Sequence, residues 1–441
     1  MRALIDAPRW LLLGALVYAP WAYGCTRTWT IQVLEALLGL ILLLWIAGLT
    51  IRRQRPEISP LLACAVVALL FLGWTMVLNA HSFYDPEFHQ FVPTSSLWEK
   101  GPGSVNREVS LDMLWRVTGL LGVLCFTADL SKRRTWRNRL WWTLVIAGAS
   151  IAALGLFQKV MEAPMIFWED GRKGETFFAT YFYHGNAGAF LNLVLPVAAG
   201  LVIALTSKRG ANREKAVAVS ALFIIVISAF VNVSKAAMVI AAILLLILGV
   251  WRLIHFLSAR DGSMSLHKLT AILVGGLVIL AITLGLTWDL AAKRWQELPK
   301  LMTANNPRVL MVQSCIRILP SAGAFGFGPG TFETVFPHLN DRTGPTGVWR
   351  YAHEDYLQTV IEWGWLGTAF LGVIFAGGIV SSIYGWRKSS GSNRLLLVTS
   401  TMALCGIAVH ALIDFPLQIA SLQLYTSVLL GFGWSSAEWE R

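Results

Sequence analysis

Long apolar stretches, separated by short clusters of charge, constrain this chain more than any other feature. Several reach the roughly 20 residues that a helix needs to cross the hydrocarbon core of a bilayer, as in 29–50, 184–206 and 235–257. Charged residues make up only 14% of the 441 residues, whereas a soluble domain carries about 25%. The pattern predicts a polytopic membrane protein and excludes a soluble globular domain.

Hydropathy predicts an all-α fold that forms a single integral membrane domain over residues 1–441, with about 12 transmembrane helices. The predicted spans are 9–24, 29–50, 59–78, 111–129, 139–160, 184–206, 214–231, 235–257, 268–288, 354–386, 393–413 and 416–434. Because 354–386 is longer than one crossing needs, its first turns are expected to project from the membrane. Asn305, Asn306 and Pro307 predict the start of a further, short amphipathic helix outside the membrane.

The distribution of Lys and Arg predicts the orientation. The net charge of +11 is interpreted as the positive-inside signal of cytoplasmic loops, and no nucleic-acid partner is expected. Basic clusters occupy alternate short loops, near 52–55, 132–139, 208–215, 252–268 and 387–394. Both termini are therefore expected in the cytoplasm. The longer segments 79–110, 161–183 and 289–353 are expected on the opposite face, where elaborated loops favour the chemistry.

Neither a metal centre nor a nucleotide site is predicted. The five cysteines form no CxxC pair, so neither a disulfide framework nor a metal cluster is expected. The glycine-rich stretch 323–330 has no preceding strand, which excludes a dinucleotide loop. Two interpretations remain for this stretch: it is a turn, or its backbone N–H groups face a phosphate. His184 and Asn186, at the mouth of another helix, are candidates either for sugar binding or for helix capping.

The segment from His353 to Gly367 is the most informative in the chain. It closes the longest outer loop and opens a helix, with Glu354 in the first turn, where the helix dipole favours an acid. Glu362 lies about 13 Å further along this helix, at a depth where a carboxylate is costly and needs a partner. Imidazole is a suitable general base near neutral pH, so His353 is a candidate base. The alternative is an incidental interfacial histidine beside a structural Glu362.

Isolated cations on the outer segments are candidates for binding an anion. Arg308 opposes the dipole at the start of the predicted short helix, and such local conflicts often mark functional sites. Lys235 occupies a tight outer turn between two apolar helices. Arg317 and Arg350 are further candidates. The alternative for each of them is a solvated or snorkelling surface cation.

One spaced pattern resembles a known family. His353, Leu357, Glu362, Gly364 and Gly367 read His-x3-Leu-x4-Glu-x-Gly-x2-Gly, which resembles the signature of bacterial O-antigen ligases and the related O-antigen polymerases. The resemblance extends over about 175–370, which we define as a ligase-like core that includes the expected periplasmic loop 289–353. Further matches in the family's order are Thr176 to Asn186, Ser234-Lys235, Arg308 and 326–332.

The resemblance implies a glycan transferase at the periplasmic face of the bacterial inner membrane. The implied partners are membrane lipids, an undecaprenyl-diphosphate-linked glycan donor and a lipid- or glycan-linked acceptor, such as lipid A–core. In this interpretation His353 is the base, Arg308 and Lys235 hold the diphosphate, and Glu362 is a structural or orienting partner. Lys235 stands where the family usually has Arg and offers a point charge instead of a planar fork. No cofactor is implied, because the donor is already activated.

Two alternatives to a ligase remain open. The nearest is an O-antigen or exopolysaccharide polymerase of the same family, which uses the same donor and a different acceptor. The other is a membrane transporter. This second alternative is less favoured, because a transporter should carry charges at mid-membrane depth on both access paths, whereas the charges here gather at the outer mouth.

The predicted orientation can be tested by cysteine accessibility. In a chain whose five native cysteines are replaced by serine, Asp341→Cys should react with a membrane-impermeant maleimide from the periplasmic side, because the 289–353 loop is expected there. Arg134→Cys, in a basic loop, is the matched control and should react only after the inner membrane is lysed. Reaction of the Asp341 position only after lysis would overturn the orientation.

Overall fold

The computed structural model describes residues 2–169, 177–206, 210–258, 306–340 and 344–439, together with the single residues 285, 296 and 303. These ranges contain thirteen α-helices. The helices are α1 (Arg2–Trp21), α2 (Thr28–Arg52), α3 (Pro60–Leu78), α4 (Arg107–Leu130), α5 (Arg134–Val160), α6 (His184–Thr206), α7 (Asn212–Val231), α8 (Lys235–Ser258), α9 (Pro307–Ala322), α10 (Phe332–Leu339), α11 (Asp355–Lys388), α12 (Gly391–His410) and α13 (Ala420–Ser435).

Nine of the described helices, α2 to α8, α11 and α12, are long and apolar enough to cross a membrane. A predominantly helical, multi-pass membrane architecture is therefore confirmed, whereas a count of 12 spans stays a prediction. The predicted span 268–288 falls outside the described ranges. The predicted span 416–434 begins instead with a 3-10 turn, Pro416–Gln418, and its α-helix α13 has 16 residues.

A small hairpin interrupts the otherwise helical fold. In the segment 79–110, β1 (Ser82–Asp85) pairs antiparallel with β2 (Gln90–Pro93). Asp85 closes the turn, since its Oδ1 accepts from the N–H groups of Glu87 and Phe88 at 2.9 and 3.3 Å. Short polar side chains of this kind stabilise tight turns. The hydropathy pattern had indicated no strand here.

The central helix is α6, which is buried along almost its whole length. It packs against α5, α7, α8 and α12. Two of its glycines permit this approach, since a Cβ at Gly188 would lie 2.3 Å from the Ala237 Cβ of α8, and one at Gly200 would lie 2.6 Å from the Thr399 Oγ1 of α12. Small residues at helix contacts are the usual means of close packing in membranes.

The predicted short helix is confirmed as α9. Pro307 is its first residue, and the side chain of Asn306 caps it by accepting from the N–H of Arg308 at 2.9 Å. The helix buries Met311, Cys315 and Ile318, which share one face at spacings of four and three residues. They form a separate small apolar cluster with residues of α10 and α11. Through this cluster α9 and α10 pack onto the start of α11.

The long helix α11 is broken at Gly364, where φ is 62° and ψ is −177°. The glycine-rich loop after α9 fills the break. The N–H groups of Phe327 and Gly328 donate to the carbonyls of Ile361 and Glu362, both at 2.9 Å. A Cβ at Gly364 would lie 2.4 Å from the backbone of Ala324. The absence of a side chain at Gly364 therefore lets the glycine-rich loop pack against the break in α11.

Opposite ends of the bundle have different characters. At one end, which we call the site end, lie Tyr183 before α6, His353 before α11 and Asp414 after α12. The helix α13 leads from there to the other end, which we call the basic end. At the basic end Lys132 contacts Glu57 and Glu438. With 16 residues, α13 spans about 24 Å at 1.5 Å per residue.

The break in α11 predicts a strong stability effect. Gly364→Ala should destabilise the protein by about 2–4 kcal/mol, because this backbone conformation is essentially restricted to glycine and the added methyl group overlaps the loop. The measurement is thermal unfolding in detergent. Gly372→Ala, in the same helix with nothing within 4 Å of the new Cβ, is the control and should be neutral or stabilising. Equal melting temperatures of the two variants would contradict the prediction.

Candidate functional site

His353 and Asp414 form the central pair of the site. Nδ1 of His353 donates to Oδ1 of Asp414 at 3.1 Å. The imidazole retains 18% side-chain exposure, whereas the carboxylate retains 5%. Because Nδ1 carries the proton, Nε2 carries the lone pair, and no partner for Nε2 lies in the described ranges. A nitrogen with a free lone pair, on a partly exposed histidine held by a buried carboxylate, is the arrangement of a general base.

A hydrogen-bonded chain continues from Asp414 to Arg308. The hydroxyl of Tyr183 donates to Oδ2 of Asp414 at 2.7 Å, and Nη2 of Arg308 donates to the same hydroxyl at 2.8 Å. Four residues from four separate segments are thereby connected. The order is Arg308, Tyr183, Asp414, His353. The structure thus brings together two candidates from the sequence, Arg308 and His353, through two residues that the sequence analysis did not select.

The carboxylate of Asp414 is held in its charged form. Burial alone would raise its pKa, but the hydrogen bond from His353, the charge of Arg308 and the hydrogen bond from Tyr183 lower the pKa below its usual value. Gly185, in the first turn of α6, allows the close approach, since a Cβ there would lie 2.7 Å from Oδ2 of Asp414. The helix N-terminus adds a favourable dipole. A charged Asp414 can stabilise an imidazolium on His353.

Aromatic rings set the position of the imidazole. Phe415 stacks on Tyr351 and on Tyr183, with ring centroids 4.4 and 5.5 Å apart. His353 meets Phe415 edge-on at 4.8 Å and Trp349 edge-on at 5.7 Å. Such edge-to-face pairs are favourable and directional. The ring of His353 is therefore fixed by packing as well as by its bond to Asp414.

The backbone at His353 is in the left-handed region, with φ at 55°. For a residue with a Cβ this conformation costs about 1–2 kcal/mol, and such residues cluster at functional sites. Neighbouring hydrogen bonds hold it. The side chain of Gln358 accepts from the N–H of Ala352 at 3.0 Å, and Glu354 caps α11 by accepting from the N–H of Leu357 at 2.5 Å.

Asp355 fixes the segment that carries Asp414. Its N–H donates to the carbonyl of Ala411 at 2.9 Å. Its carboxylate accepts from the N–H of Leu417 at 2.8 Å and from Nε2 of Gln418 at 3.1 Å. The loop between α12 and α13 is thus attached directly to the first residue of α11, two positions after His353. Asp355 therefore positions the two halves of the central pair.

Glu362 organises the glycine-rich loop from within the protein. Only 3% of the residue is exposed. Its carboxylate accepts from the N–H groups of Gly330 and Phe332 at 2.9 and 3.4 Å, and from Nε2 of Gln358 at 3.0 Å. The amides of this loop are therefore occupied by Glu362 and by the backbone of α11. The suggestion that they face a phosphate is wrong.

Lys235 begins α8 at the site end. The turn before it lies against the start of α6, since Nδ2 of Asn232 donates to the carbonyl of His184 at 2.8 Å. The N–H of Asn186 donates to the carbonyl of Tyr183 at 3.1 Å, and its side chain is buried in α6. His184 and Asn186 therefore open the helix that follows Tyr183, with Lys235 on the adjacent turn.

Two weaker cation candidates lie further out. Nη2 of Arg317 donates to Oγ of Ser314 at 2.9 Å, one turn earlier on α9. Nε of Arg350 lies 3.7 Å from Oε2 of Glu333, and both side chains are about half exposed. An exposed pair at this distance contributes little. Neither contact connects to the hydrogen-bonded chain from Arg308 to His353.

Of the two residues that the sequence analysis missed, Asp414 carried a visible signal and Tyr183 did not. Asp414 lies in the two-residue gap between the predicted spans 393–413 and 416–434, in an otherwise apolar stretch. A carboxylate in such a place is costly and therefore functional by default. Tyr183 precedes α6 directly and carried no comparable signal, because a tyrosine at a membrane boundary is ordinary.

Residues 220–372 match the family model described as O-antigen ligase. The resemblance to this family is confirmed. This region of the chain is O-antigen ligase-like. The ligase-like region runs from α7 into α11 and holds Lys235, Arg308 and His353, whereas Tyr183 and Asp414 lie outside it. Among curated proteins, none matches the chain.

The hydrogen bond between His353 and Asp414 predicts a specific loss of activity. Asp414→Asn should lower transfer by about 10²- to 10⁴-fold, the range that general acid–base catalysis contributes, because an amide cannot stabilise the imidazolium of His353. Tyr183→Phe should cause a smaller fall, since the ring still stacks on Phe415 and Asp414 keeps its bond to His353, while the two hydrogen bonds of the hydroxyl are lost. The measurement is surface glycan in a complemented deletion strain, normalised to protein level. Asp112→Asn, an exposed acid on α4, is the control. Normal glycan with a well-expressed Asp414→Asn protein would contradict the assignment.

Proposed function

We propose that this protein transfers a glycan from an undecaprenyl-diphosphate carrier to a lipid A–core or similar acceptor at the periplasmic face of the inner membrane. The ligase-like region and the apolar helices indicate a multi-pass membrane glycan transferase of the ligase and polymerase type. The single observation that carries the proposal further is the bond between His353 and Asp414. It supplies a base at the end of the bundle where the outer loops meet.

In the proposed reaction His353 removes the proton from the acceptor hydroxyl. Nε2 takes this proton as the hydroxyl oxygen forms a bond to the anomeric carbon of the donor sugar. The bond between that carbon and the diphosphate oxygen breaks, and the diphosphate leaves with the electron pair. Asp414 stabilises the imidazolium that results. The imidazolium then releases its proton to water, which restores the base.

Arg308 and Lys235 are proposed to bind the diphosphate. Nη2 of Arg308 donates to Tyr183, and a guanidinium carries five N–H donors, so this bond leaves further donors for a diphosphate. Fixed cations of this kind stabilise the charge that develops on the leaving group. Lys235, on the turn against α6, is proposed as a second point charge. Arg317 and Arg350 are supporting candidates for more distant parts of the carrier.

The remaining candidates are proposed to support the site without touching the reacting atoms. Glu362 holds the glycine-rich loop, and Glu354 caps α11 immediately after the base. His184 and Asn186 open α6 beside Tyr183 and remain candidates for sugar contacts. Their positions follow from the backbone bonds at the start of α6.

A ligase and a polymerase share the donor and the base, so the acceptor distinguishes them. A ligase admits a lipid-anchored core from the side, whereas a polymerase holds two carrier lipids. We favour the ligase because the outer segments are modest in size and leave a site open to the membrane. A transporter is less favoured, because the charged network of the site lies where the loops meet.

A deletion strain tests the proposal directly. Loss of a ligase should leave long glycan polymers on the carrier lipid and none on the acceptor, because polymerisation proceeds without ligation. The measurement is separate extraction and electrophoresis of carrier-linked and surface-linked glycans. Complementation with the wild-type chain should restore the surface glycan, and His353→Ala should not.

Two results would redirect the assignment. Single repeat units on the acceptor, with no long chains in either fraction, would establish the polymerase alternative. Unchanged glycans in both fractions would remove glycan transfer from the proposal altogether.

A further inference from the structure

A cavity of about 610 Å³ lies at the basic end of the bundle. Its walls come from the first turns of α1, the last turns of α2 and α4, and the loops that follow α2 and α4. Glu438, beyond the end of α13, closes one side. Since α13 separates this end from Asp414 by about 24 Å, the cavity is distinct from the site around His353.

The polar lining of the cavity is cationic. Five bases and three acids line it, which leaves a net charge of +2. The bases are Arg9, Arg52, Arg55, Lys132 and Arg133. Cations grouped in this way repel one another unless an anion lies between them. The charge balance therefore favours an anionic ligand.

The three lining acids are already engaged. Lys132 contacts Oε2 of Glu57 at 3.2 Å and also contacts Glu438. Asp129 accepts from Nε1 of Trp45 at 3.0 Å and from the N–H of Glu57 at 3.4 Å. The acids thus bind Lys132, Trp45 and the local backbone, and in the described part of the chain none of them lies within 4 Å of a lining arginine.

Three arginines remain as the anion-binding groups. Arg9 is paired with Asp6 at 2.6 Å. For Arg52, Arg55 and Arg133, no carboxylate lies within 4 Å in the described part of the chain. Nε of Arg52 donates to the carbonyl of Gly48 at 3.0 Å, which fixes its guanidinium at the cavity wall. Guanidinium groups bind phosphate oxygens through paired N–H donors.

Most of the remaining lining is apolar, and this indicates which phosphate-containing ligand fits the cavity. Leu44, Leu49, Phe126 and Leu130 face the cavity from α2 and α4, which are both long enough to span the membrane. The arginines thus sit at helix ends, above an apolar wall. A free phosphate needs only the arginines. A phospholipid uses both parts, with its phosphate at the arginines and its acyl chains along the wall.

We infer that this cavity binds the headgroup of an anionic phospholipid. Basic pockets between membrane helices at the positively charged face are suited to such headgroups, and each Lys or Arg near the surface contributes about fivefold in affinity. The ligand is recognised by its phosphodiester charge and by its chains. This inference does not depend on glycan transfer.

The experiment uses the purified full chain with phosphatidylglycerol or phosphatidylcholine of identical acyl chains, and native mass spectrometry counts the retained lipid. Phosphatidylglycerol should be retained preferentially. Arg52→Gln with Arg133→Gln should lower its affinity by about 25-fold, at about fivefold for each charge. The loss should be much smaller for phosphatidylcholine, because its choline cation offsets the charge of its phosphate. Arg52→Lys with Arg133→Lys should keep most of the affinity, because the charges remain.

A charge-matched control separates the cavity from the general surface. Arg53 and Arg387 are exposed basic residues at helix ends of the same face and do not line the cavity. Arg53→Gln with Arg387→Gln should leave retention unchanged. Arg55→Gln, in an exposed loop, should lower the affinity by about fivefold and serves as the test if the Arg52 and Arg133 variant does not fold.

Three results would overturn the inference. Equal retention of the two lipids by the wild-type chain would remove the preference for an anion. Equal losses in the cavity variant and in the charge-matched control would assign the effect to surface charge. Full displacement of phosphatidylglycerol by millimolar inorganic phosphate would assign the cavity to a free phosphate.

Discussion

The polar face at the start of α11 is the feature on which the functional end depends. Asp355, Gln358 and Glu362 are spaced by three and four residues, so they share one side of the helix. Each is buried, and each binds a different segment of the chain. Asp355 binds the loop that carries Asp414, Gln358 binds the backbone just before His353, and Glu362 binds the glycine-rich loop. Buried polar groups are costly when unpaired, so these three side chains specify where the loops must lie. The break in α11 at Gly364 lets the glycine-rich loop reach Glu362.

The apolar pattern predicted the helices better than the site. Long stretches such as α6 and α8 follow from hydropathy alone, because a bilayer admits few other backbone arrangements. The start of α9 followed from Asn306 and Pro307. The sequence did not predict the 3-10 turn at Pro416 or the hairpin at 82–93, because both depend on tertiary hydrogen bonds and short-range turn geometry. The 12-span count and the orientation stay predictions.

Within the site, the sequence predicted single residues with unusual local chemistry, but it did not predict the contacts between residues that are far apart in the chain. His353 and Arg308 could be selected because each has unusual local chemistry. Their connection could not be predicted, because Tyr183 and Asp414 lie 231 positions apart in the chain and only the packing of α6 against α12 brings them together. The glycine-rich loop shows the opposite case. Its amides suggested an anion site, but the carboxylate of Glu362 accepts from that of Gly330, and backbone carbonyls of α11 accept from those of Phe327 and Gly328, which no local pattern indicates.

The Tyr183 hydroxyl resolves a conflict of charge in the proposed reaction. The imidazolium of His353 needs a negative charge beside it, which Asp414 supplies, whereas a diphosphate donor needs positive charge at the same end of the bundle. A direct bond between Arg308 and Asp414 would neutralise both groups. Because Tyr183 stands between them, accepting from Arg308 and donating to Asp414, the guanidinium keeps donors for the diphosphate and the carboxylate keeps its charge for the imidazolium. A neutral phenol with both a donor and an acceptor function suits this place, and partial burial raises its pKa, which keeps it protonated.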